Sequence, residues 1–375
     1  MNHERISKSV RKGAKRQRIG IVTGGGDCPG LNAVIRAVTK AAANKQGWET
    51  IGFLGSYEGI LEPQRYIELD YQKLGPMLTR GGTILGTANR GRFSAKVGHG
   101  RTRSLPRELI DGVKAGMRKL NIRALVSIGG DGSMSIAQQL HKAGVPLVGV
   151  PKTIDNDLSG TAWTFGFDSA VACATDALDR LHTTAESHNR VMVLEVMGRY
   201  AGWIALYAGI AGGADVILIP EVPFTFEGIC DKIRERERAG KQFTLVIVAE
   251  GAREKGGQFV TSASQEANRE AHLGGIGQVV ADQVARRTGK ECRVCVLGHL
   301  QRGGSPTNFD RTLCTIFGAH AIELIAAGRF GRMVAWTERG IDSVPISAAV
   351  GRLKTVPIDG ALAQTALSMG VSLGN

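Results

Sequence analysis

Aromatic residues are scarce, 5% of 375 positions, and they do not interleave with basic ones, so the stacking platforms that hold single-stranded nucleic acid are missing. No apolar run approaches the roughly 20 residues that span a bilayer. The opening MNHERISKSVRKGAKRQR is basic but has no apolar core, which excludes a secretory signal and makes a cytoplasmic location the expectation. The six cysteines (Cys28, Cys173, Cys230, Cys292, Cys295, Cys314) are scattered, and the one CxxC, CRVC, has no second pair or histidine set nearby. Structural thiols in a reducing compartment are therefore expected, not a disulfide frame or a zinc site. HExxH, EF-hand and Ser–His–Asp phrases are also absent. Acidic residues are outnumbered, 34 against 47 Lys and Arg, for a net charge of +13. Part of that excess lies in residues 1–17 (Arg5, Lys8, Arg11, Lys12, Lys15, Arg16), expected to be a disordered, solvated tail; neither nucleic acid nor membrane is an expected partner. The remainder sits beside glycine motifs, where an anionic small molecule explains it better than a polymer would.

Glycine is what the chain has in quantity, 51 residues, clustered where apolar runs end. RIGIVTGGG, ALVSIGGDG, PLVGVP, VMVLEVMG, DVILIPEVP, TLVIVAEG and VCVLGHLQRGG read as continuous buried strands. Between them, 31–43, 108–120, 133–143, 170–188, 226–239, 276–287 and 311–327 carry helical patterns. Such alternation predicts an α/β protein of two interleaved, doubly wound lobes with largely parallel sheets and a site in the cleft between them. The expected division is a donor-binding lobe from 18–165 plus 300–350 and a sugar-phosphate-binding lobe from 166–299 plus 351–375. Nearly every run ends in a Gly-, Asp- or Arg-containing phrase, and ligands bind at the carboxyl ends of parallel strands.

TGGGDCPGLNAVIRAV passes from strand through glycines to helix, a geometry that presents backbone N–H groups to a phosphate. It has neither the P-loop ending nor the Rossmann spacing, and alone it is equally a ligand-free turn. GGDGS repeats the logic with a carboxylate: Asp131 suits Mg²⁺, which takes one or two carboxylates plus phosphate oxygens, or equally a helix cap. By itself that phrase fits several kinase classes, including those acting on lipids or NAD. PKTIDND follows one helix later. If it continues as a strand, Thr153, Asp155 and Asp157 alternate onto one side, with one carboxylate as general base toward a hydroxyl and another near the metal. Further along stand Arg190, Arg199, Glu250, Arg293, His299 and Arg302, several beside glycine turns, and arginine is suited to bidentate phosphate recognition.

Taken together and in this order, GGDCPGLNAVIR, RGGTILGT, IGGDGS, PKTIDND, SHNRVMVLEVMGRYAGW, VAEG and VLGHLQRGGSPTNFDR resemble the bacterial-type 6-phosphofructokinase family over about residues 18–355. The resemblance implies Mg²⁺-dependent phosphoryl transfer to the carbon-1 hydroxyl of fructose 6-phosphate. It implies Asp155 as general base, with Thr153 and Asp157 beside the transferring phosphate and metal and Arg199 as a further catalytic group. Gly26, Gly130, Asp131, Gly132, Ser133 and Lys152 match the donor site, Asp131 and Asp157 serving the metal. Thr153, Ile154, Asp155, Met197, Gly198, Arg199, Glu250, His299, Leu300, Gln301 and Arg302 match the sugar-phosphate site. Arg190 and Arg293 match arginines contributed by a neighbouring subunit, which implies a homo-oligomer, dimer or tetramer, with shared sites.

Three departures bear on function. GTANRGRF places Asn89 where a donor-contacting arginine is usual, leaving Arg90 as its equivalent. Pyrophosphate-using relatives carry Asp at the position of Gly132 and Lys at that of Lys152, whereas ATP users often have Gly at both; this chain is mixed. Gly132 leaves room for the α-phosphate and ribose, so ATP is the expected donor, with a pyrophosphate-dependent phosphotransferase as the alternative and a non-catalytic nucleotide sensor as the remote one. Arg36 and Arg80 match effector-binding arginines, but Lys40 and His182 replace two others, and a lost bidentate donor is not conservatively replaced.

Overall fold

The computed structural model describes residues 17–88, 91–93, 96–97, 101–102, 104–261 and 273–375. Arg90 and the basic segment 1–16 lie outside the described residues. Gln17 is already part of the fold: its carbonyl accepts from the Glu49 N–H at 3.0 Å and its side-chain oxygen from Arg123 at 2.9 Å.

The strands in chain order are β1 (Arg18–Thr23), β2 (Glu49–Phe53), β3 (Tyr66–Glu68), β4 (Lys96–Val97), β5 (Arg101–Thr102), β6 (Ile122–Gly129), β7 (Leu147–Pro151), β8 (Val191–Val196), β9 (Val216–Leu218), β10 (Thr244–Ala249), β11 (Cys292–Val296), β12 (Arg332–Thr337) and β13 (Gly340–Pro345). The helices are α1 (Leu31–Ala41), α2 (Arg107–Lys119), α3 (Asp131–Lys142), α4 (Phe167–His188), α5 (Trp203–Ala211), α6 (Phe226–Arg238), α7 (Ile276–Thr288), α8 (Asn308–Ala326), α9 (Ile346–Ala349) and α10 (Ala361–Ser368).

Two sheets carry the fold. A seven-stranded sheet has the order β13-β12-β7-β6-β1-β2-β3, and a four-stranded sheet has the order β11-β8-β10-β9. Every pairing in the smaller sheet is parallel. The larger is parallel through its centre and closed at each edge by an antiparallel strand, β3 on β2 and β13 on β12. Helices cover both faces, so inner strands bury every side chain: all of LVGVP in β7, VMVLEV in β8 and TLVIVA in β10 are buried. The β-branched content of these runs fits them to the pleat. One apolar core is continuous between the sheets, running from Ile21 and Val150 through Phe167 and Phe317 to Leu194 and Ile247.

Helix ends are set by identifiable residues. Thr225 caps α6 by accepting from the Gly228 N–H at 3.0 Å, and Thr307 caps α8 by accepting from Asp310 at 3.2 Å. α4 closes on Asn189 in the left-handed region, φ 54°. At the other end of α4, fully buried Asp310 accepts from the Gly166 and Ser169 N–H groups, each at 2.9 Å, and from the Ser169 hydroxyl at 2.6 Å. Burial pushes its carboxyl up to about 6, against the opposing pull of those bonds. This ties α8 of the larger sheet to the first turn of α4, which leads into the smaller one.

Candidate active site

The carboxyl ends of β1, β6 and β7 supply the first half of the site. After β1 the backbone enters Gly24–Gly26, and Gly25 has φ 79°, a conformation only glycine takes without strain. A side chain at Gly24 would meet the Ser133 hydroxyl at 2.5 Å, and one at Gly130 the Lys152 carbonyl at 3.1 Å. The glycines thus keep a narrow cradle open between the β1 and β6 turns, with Asp131 and Gly132 beginning α3 on its rim. Lys152 is buried, 4% exposed, and its ammonium donates to the Gly26 carbonyl. Burial pulls its pKa down, and burial also pushes the neighbouring Cys28 thiol up to about 12.

The PKTIDND phrase does not continue as a strand. β7 stops at Pro151, Lys152 bridges to Phe165, and Asn156 adopts φ 49°. The period-two expectation for Thr153, Asp155 and Asp157 is therefore overturned by a turn; the reason is hydrogen bonding within the phrase. Thr153 Oγ1 accepts from the Asp155 N–H at 3.1 Å and donates to Asp155 Oδ2 at 3.3 Å. Asn156 is buried; its Nδ2 donates to the Ala162 carbonyl at 3.2 Å and its Oδ1 accepts from the Thr164 N–H at 3.0 Å. Thr153 and Asp155 still converge. The Ile154 side chain lies in the core at 1% exposure.

The second half comes from the smaller sheet. Beyond β8, Gly198 has φ 145° and Arg199 φ 52°, the latter an uncommon conformation for a residue with a side chain. Glu250, after β10, holds that turn by accepting from the Arg199 N–H at 3.0 Å. A side chain at Gly251 would collide with the Arg199 carbonyl. Burial is the main cause that raises the Glu250 carboxyl to about 7, with the nearby Asp155 charge adding to it. The turn aims Arg199 across to the larger sheet, where its Nε lies 3.9 Å from Asp155 Oδ2. Asp155 is 4% exposed, and its Oδ1 has no hydrogen-bond partner among the described residues.

A short 3-10 segment, Gly298–Arg302, closes the gap between the halves. Buried Gln301 accepts from the Met197 N–H at 2.8 Å, and Arg302 donates to the Asp27 carbonyl at 3.1 Å. A side chain at Gly26 would meet that guanidinium at 2.6 Å. His299 and Leu300 project outward, Leu300 at 68% exposure.

Arg190 and Arg293 do not join this group within the chain. Arg190 precedes β8 and Arg293 is the second residue of β11, so both lie toward the amino ends of those strands, away from Arg199. There they converge on Glu291, Arg190 at 2.9 Å and Arg293 in closer contact. Of the effector residues, Arg36 and Lys40 lie on α1, and Arg80, exposed beyond the 3-10 turn Gly75–Leu78, is tied to the same helix through its carbonyl, which accepts from Asn32 Nδ2 at 3.1 Å; His182 is on α4, edge-on to Phe243 at 5.0 Å. Sequence reasoning missed Asn156, which lies between two singled-out carboxylates, and Glu221 and Lys354, which belong to no motif.

A Mg²⁺ ion fits the donor set. Among the described residues no group of three or more His, Cys, Asp or Glu could hold a metal alone, and Mg²⁺ bound with phosphate oxygens needs only one or two carboxylates. The two carboxylates expected for it stand at Asp131, which begins α3 on the rim of the glycine cradle, and Asp157, beyond the Asp155 turn. No helix among the described residues is long and apolar enough to cross a membrane.

The family model described as phosphofructokinase matches residues 18–325. The ATP-dependent 6-phosphofructokinase of Chloroflexus aggregans is 52% identical over 362 residues, 96% of this chain and 99% of that relative. The pyrophosphate–fructose 6-phosphate 1-phosphotransferase of Amycolatopsis methanolica is 47% identical over 342 residues, 91% and 96% of the two chains. The solved phosphofructokinase of Saccharomyces cerevisiae superposes with a TM-score of 0.76 at 30% identity, covering 89% of this chain and 45% of that longer one.

Proposed function

The chain belongs to the phosphofructokinase family, and from that we propose that it transfers the γ-phosphoryl group of ATP to the carbon-1 hydroxyl of fructose 6-phosphate, forming fructose 1,6-bisphosphate in the cytoplasm. The observation that carries this reading is the meeting of Asp155 and Arg199 from the carboxyl ends of two different sheets.

Asp155 takes the proton of the carbon-1 hydroxyl as its oxygen attacks phosphorus, with Thr153 orienting the carboxylate through the 3.3 Å bond. The Arg199 guanidinium supplies positive charge beside the transferring group, where phosphoryl transfer gains most from electrostatic stabilisation. The backbone at Gly26 and Gly130–Ser133 cradles the donor phosphates at the start of α3, a helix end that favours anions. Asp131 and Asp157 would hold Mg²⁺ together with the donor phosphates, and the ion would supply positive charge against theirs. Met197, Gly198, Glu250 and the His299–Arg302 segment enclose the sugar phosphate. Arg190 and Arg293 serve the site of an adjacent copy: their position toward the opposite end of the smaller sheet supports shared sites in a homo-oligomer.

ATP is the donor because Gly132 leaves space for the rest of the nucleotide; Lys152 gives one of its three N–H donors to the Gly26 carbonyl and favours neither donor. Lys152 then acts as a brace of the glycine turn. The pyrophosphate-using Amycolatopsis relative makes the donor the property to test. Purified protein is assayed with fructose 6-phosphate, Mg²⁺ and either ATP or pyrophosphate, and the product is identified by mass. Fructose 1,6-bisphosphate formed from ATP is expected; formation from pyrophosphate alone would overturn the donor assignment.

A further inference from the structure

Past α9 the chain returns to the site as an extended segment, Leu353–Val356, that touches both halves of it. Leu353 bridges Leu158 in antiparallel fashion, and the Lys354 N–H donates to the Asp157 carbonyl at 2.8 Å. The Lys354 ammonium donates to Asn156 Oδ1 at 3.0 Å and to the carbonyls of Thr161 and Ala162, both at 2.9 Å. An ammonium has three N–H donors and no acceptor, so this one is fully used on three neutral oxygens of the loop that follows Asp155, at Asn156, Thr161 and Ala162.

The other side of the segment faces the smaller sheet. The Lys354 carbonyl accepts from Trp203 Nε1 at 2.8 Å, and the ammonium stands 5.5 Å over the Trp203 ring. The Val356 N–H donates at 2.8 Å to Glu221, whose two oxygens also accept from Gly202 at 3.0 and 3.1 Å. Gly202 and Trp203 follow Arg199 by three and four residues. The ammonium is half-buried without a carboxylate among those three acceptors, and burying charge that way is costly unless fully hydrogen-bonded. Such an expense buys geometry where geometry matters.

We propose that Lys354 is a positioning residue for the phosphoryl-transfer step: it clamps the Asp155–Asn156–Asp157 turn and, through Trp203, fixes that turn relative to the Arg199 loop. The inference rests on the assignment of Asp155 as the general base. Losing the clamp lets the turn shift against the sugar-phosphate loop, and a displacement of about 1 Å in a reacting geometry costs on the order of 10²-fold in rate.

The test compares Lys354→Met, Lys354→Gln and Asp155→Asn in the full chain, with kcat, both KM values and thermal stability measured for each. Lys354→Met is expected to lower kcat by about 10- to 100-fold while the KM for ATP, bound on the far side of Asp155, stays within about threefold. Lys354→Gln, whose amide restores two of the three donors, is expected to recover part of the lost kcat. Wild-type kcat in Lys354→Met, or a uniform fall in all parameters with Gln no better than Met, would overturn the inference. If Lys354→Met does not fold, Lys354→Ala with added propylammonium decides: restored turnover that sodium does not reproduce supports the clamp, and no restoration refutes it. The Asp155→Asn variant separates the two readings. Wild-type turnover there removes the base assignment, whereas an inactive Asp155→Asn beside a fully active Lys354→Met removes only the clamp.

Discussion

Replacing Asp155 with Asn removes a proton acceptor and a negative charge while keeping shape and one acceptor oxygen. The Thr153 hydroxyl retains a partner, and the N–H of residue 155 that donates to Thr153 Oγ1 belongs to the backbone and is unchanged by the substitution. The charge lost lies 3.9 Å from Arg199 Nε. At an effective dielectric of about 20 that pair is worth roughly 4 kcal/mol in gross Coulomb terms. The guanidinium is 40% exposed, however, and solvent screening reduces the net contribution to on the order of 1 kcal/mol, so the fold should be nearly unaffected. Catalysis should not be: a general base contributes about 10²- to 10⁴-fold, or roughly 3 to 5.5 kcal/mol of barrier. Release of Arg199 from its carboxylate should leave fructose 6-phosphate binding unchanged or tighter. Steady-state turnover, calorimetric titration of the sugar phosphate and a melting curve together check this. Turnover within about fivefold of wild type, or a loss matched by equal loss of binding, would refute the assignment of Asp155 as the base.

Two further outcomes follow from the same geometry. Glu250 in the native protein titrates at about 7 against an ordinary 4.5; because the native value is raised, the wild type loses stability as pH climbs through that window and the penalty is complete above it. Glu250→Gln should therefore melt increasingly higher than wild type between pH 4.5 and 7 and hold a constant advantage beyond, and a pH-independent difference would contradict the burial argument. Co-expressed Arg190→Ala and Asp155→Ser chains, each inactive alone, should regain part of the activity in mixed oligomers, and verified mixed oligomers without activity would count against shared sites.

The central strands were legible because both faces are covered, which makes β1, β6, β7, β8 and β10 read as largely apolar runs; β11, at the edge of the smaller sheet, is only partly covered. Helices α2, α3, α4, α6, α7 and α8 were expected to within three residues. The edges were harder. β3 and β13 pair antiparallel at the borders of the larger sheet, and their sequences, YIE and GIDSVP, lack that apolar continuity. α5 escaped notice because WIALYAGIA is apolar nearly all round and shows no stripe. Within the site, the glycine turns and carboxylates announced themselves as phrases, but the route by which Thr153 and Asp155 meet did not: a left-handed Asn156 replaces strand alternation. Lys354 and Glu221 were invisible because their partners lie 198 and 135 residues away in the chain.

The apolar interior shared by both sheets has a mechanical corollary. Neither half can slide freely past the other without uncovering Phe167 and Phe317, which are completely shielded. Acceptor and donor compartments are in effect machined from one block, so a packing fault far from the cleft transmits to the alignment of its two walls.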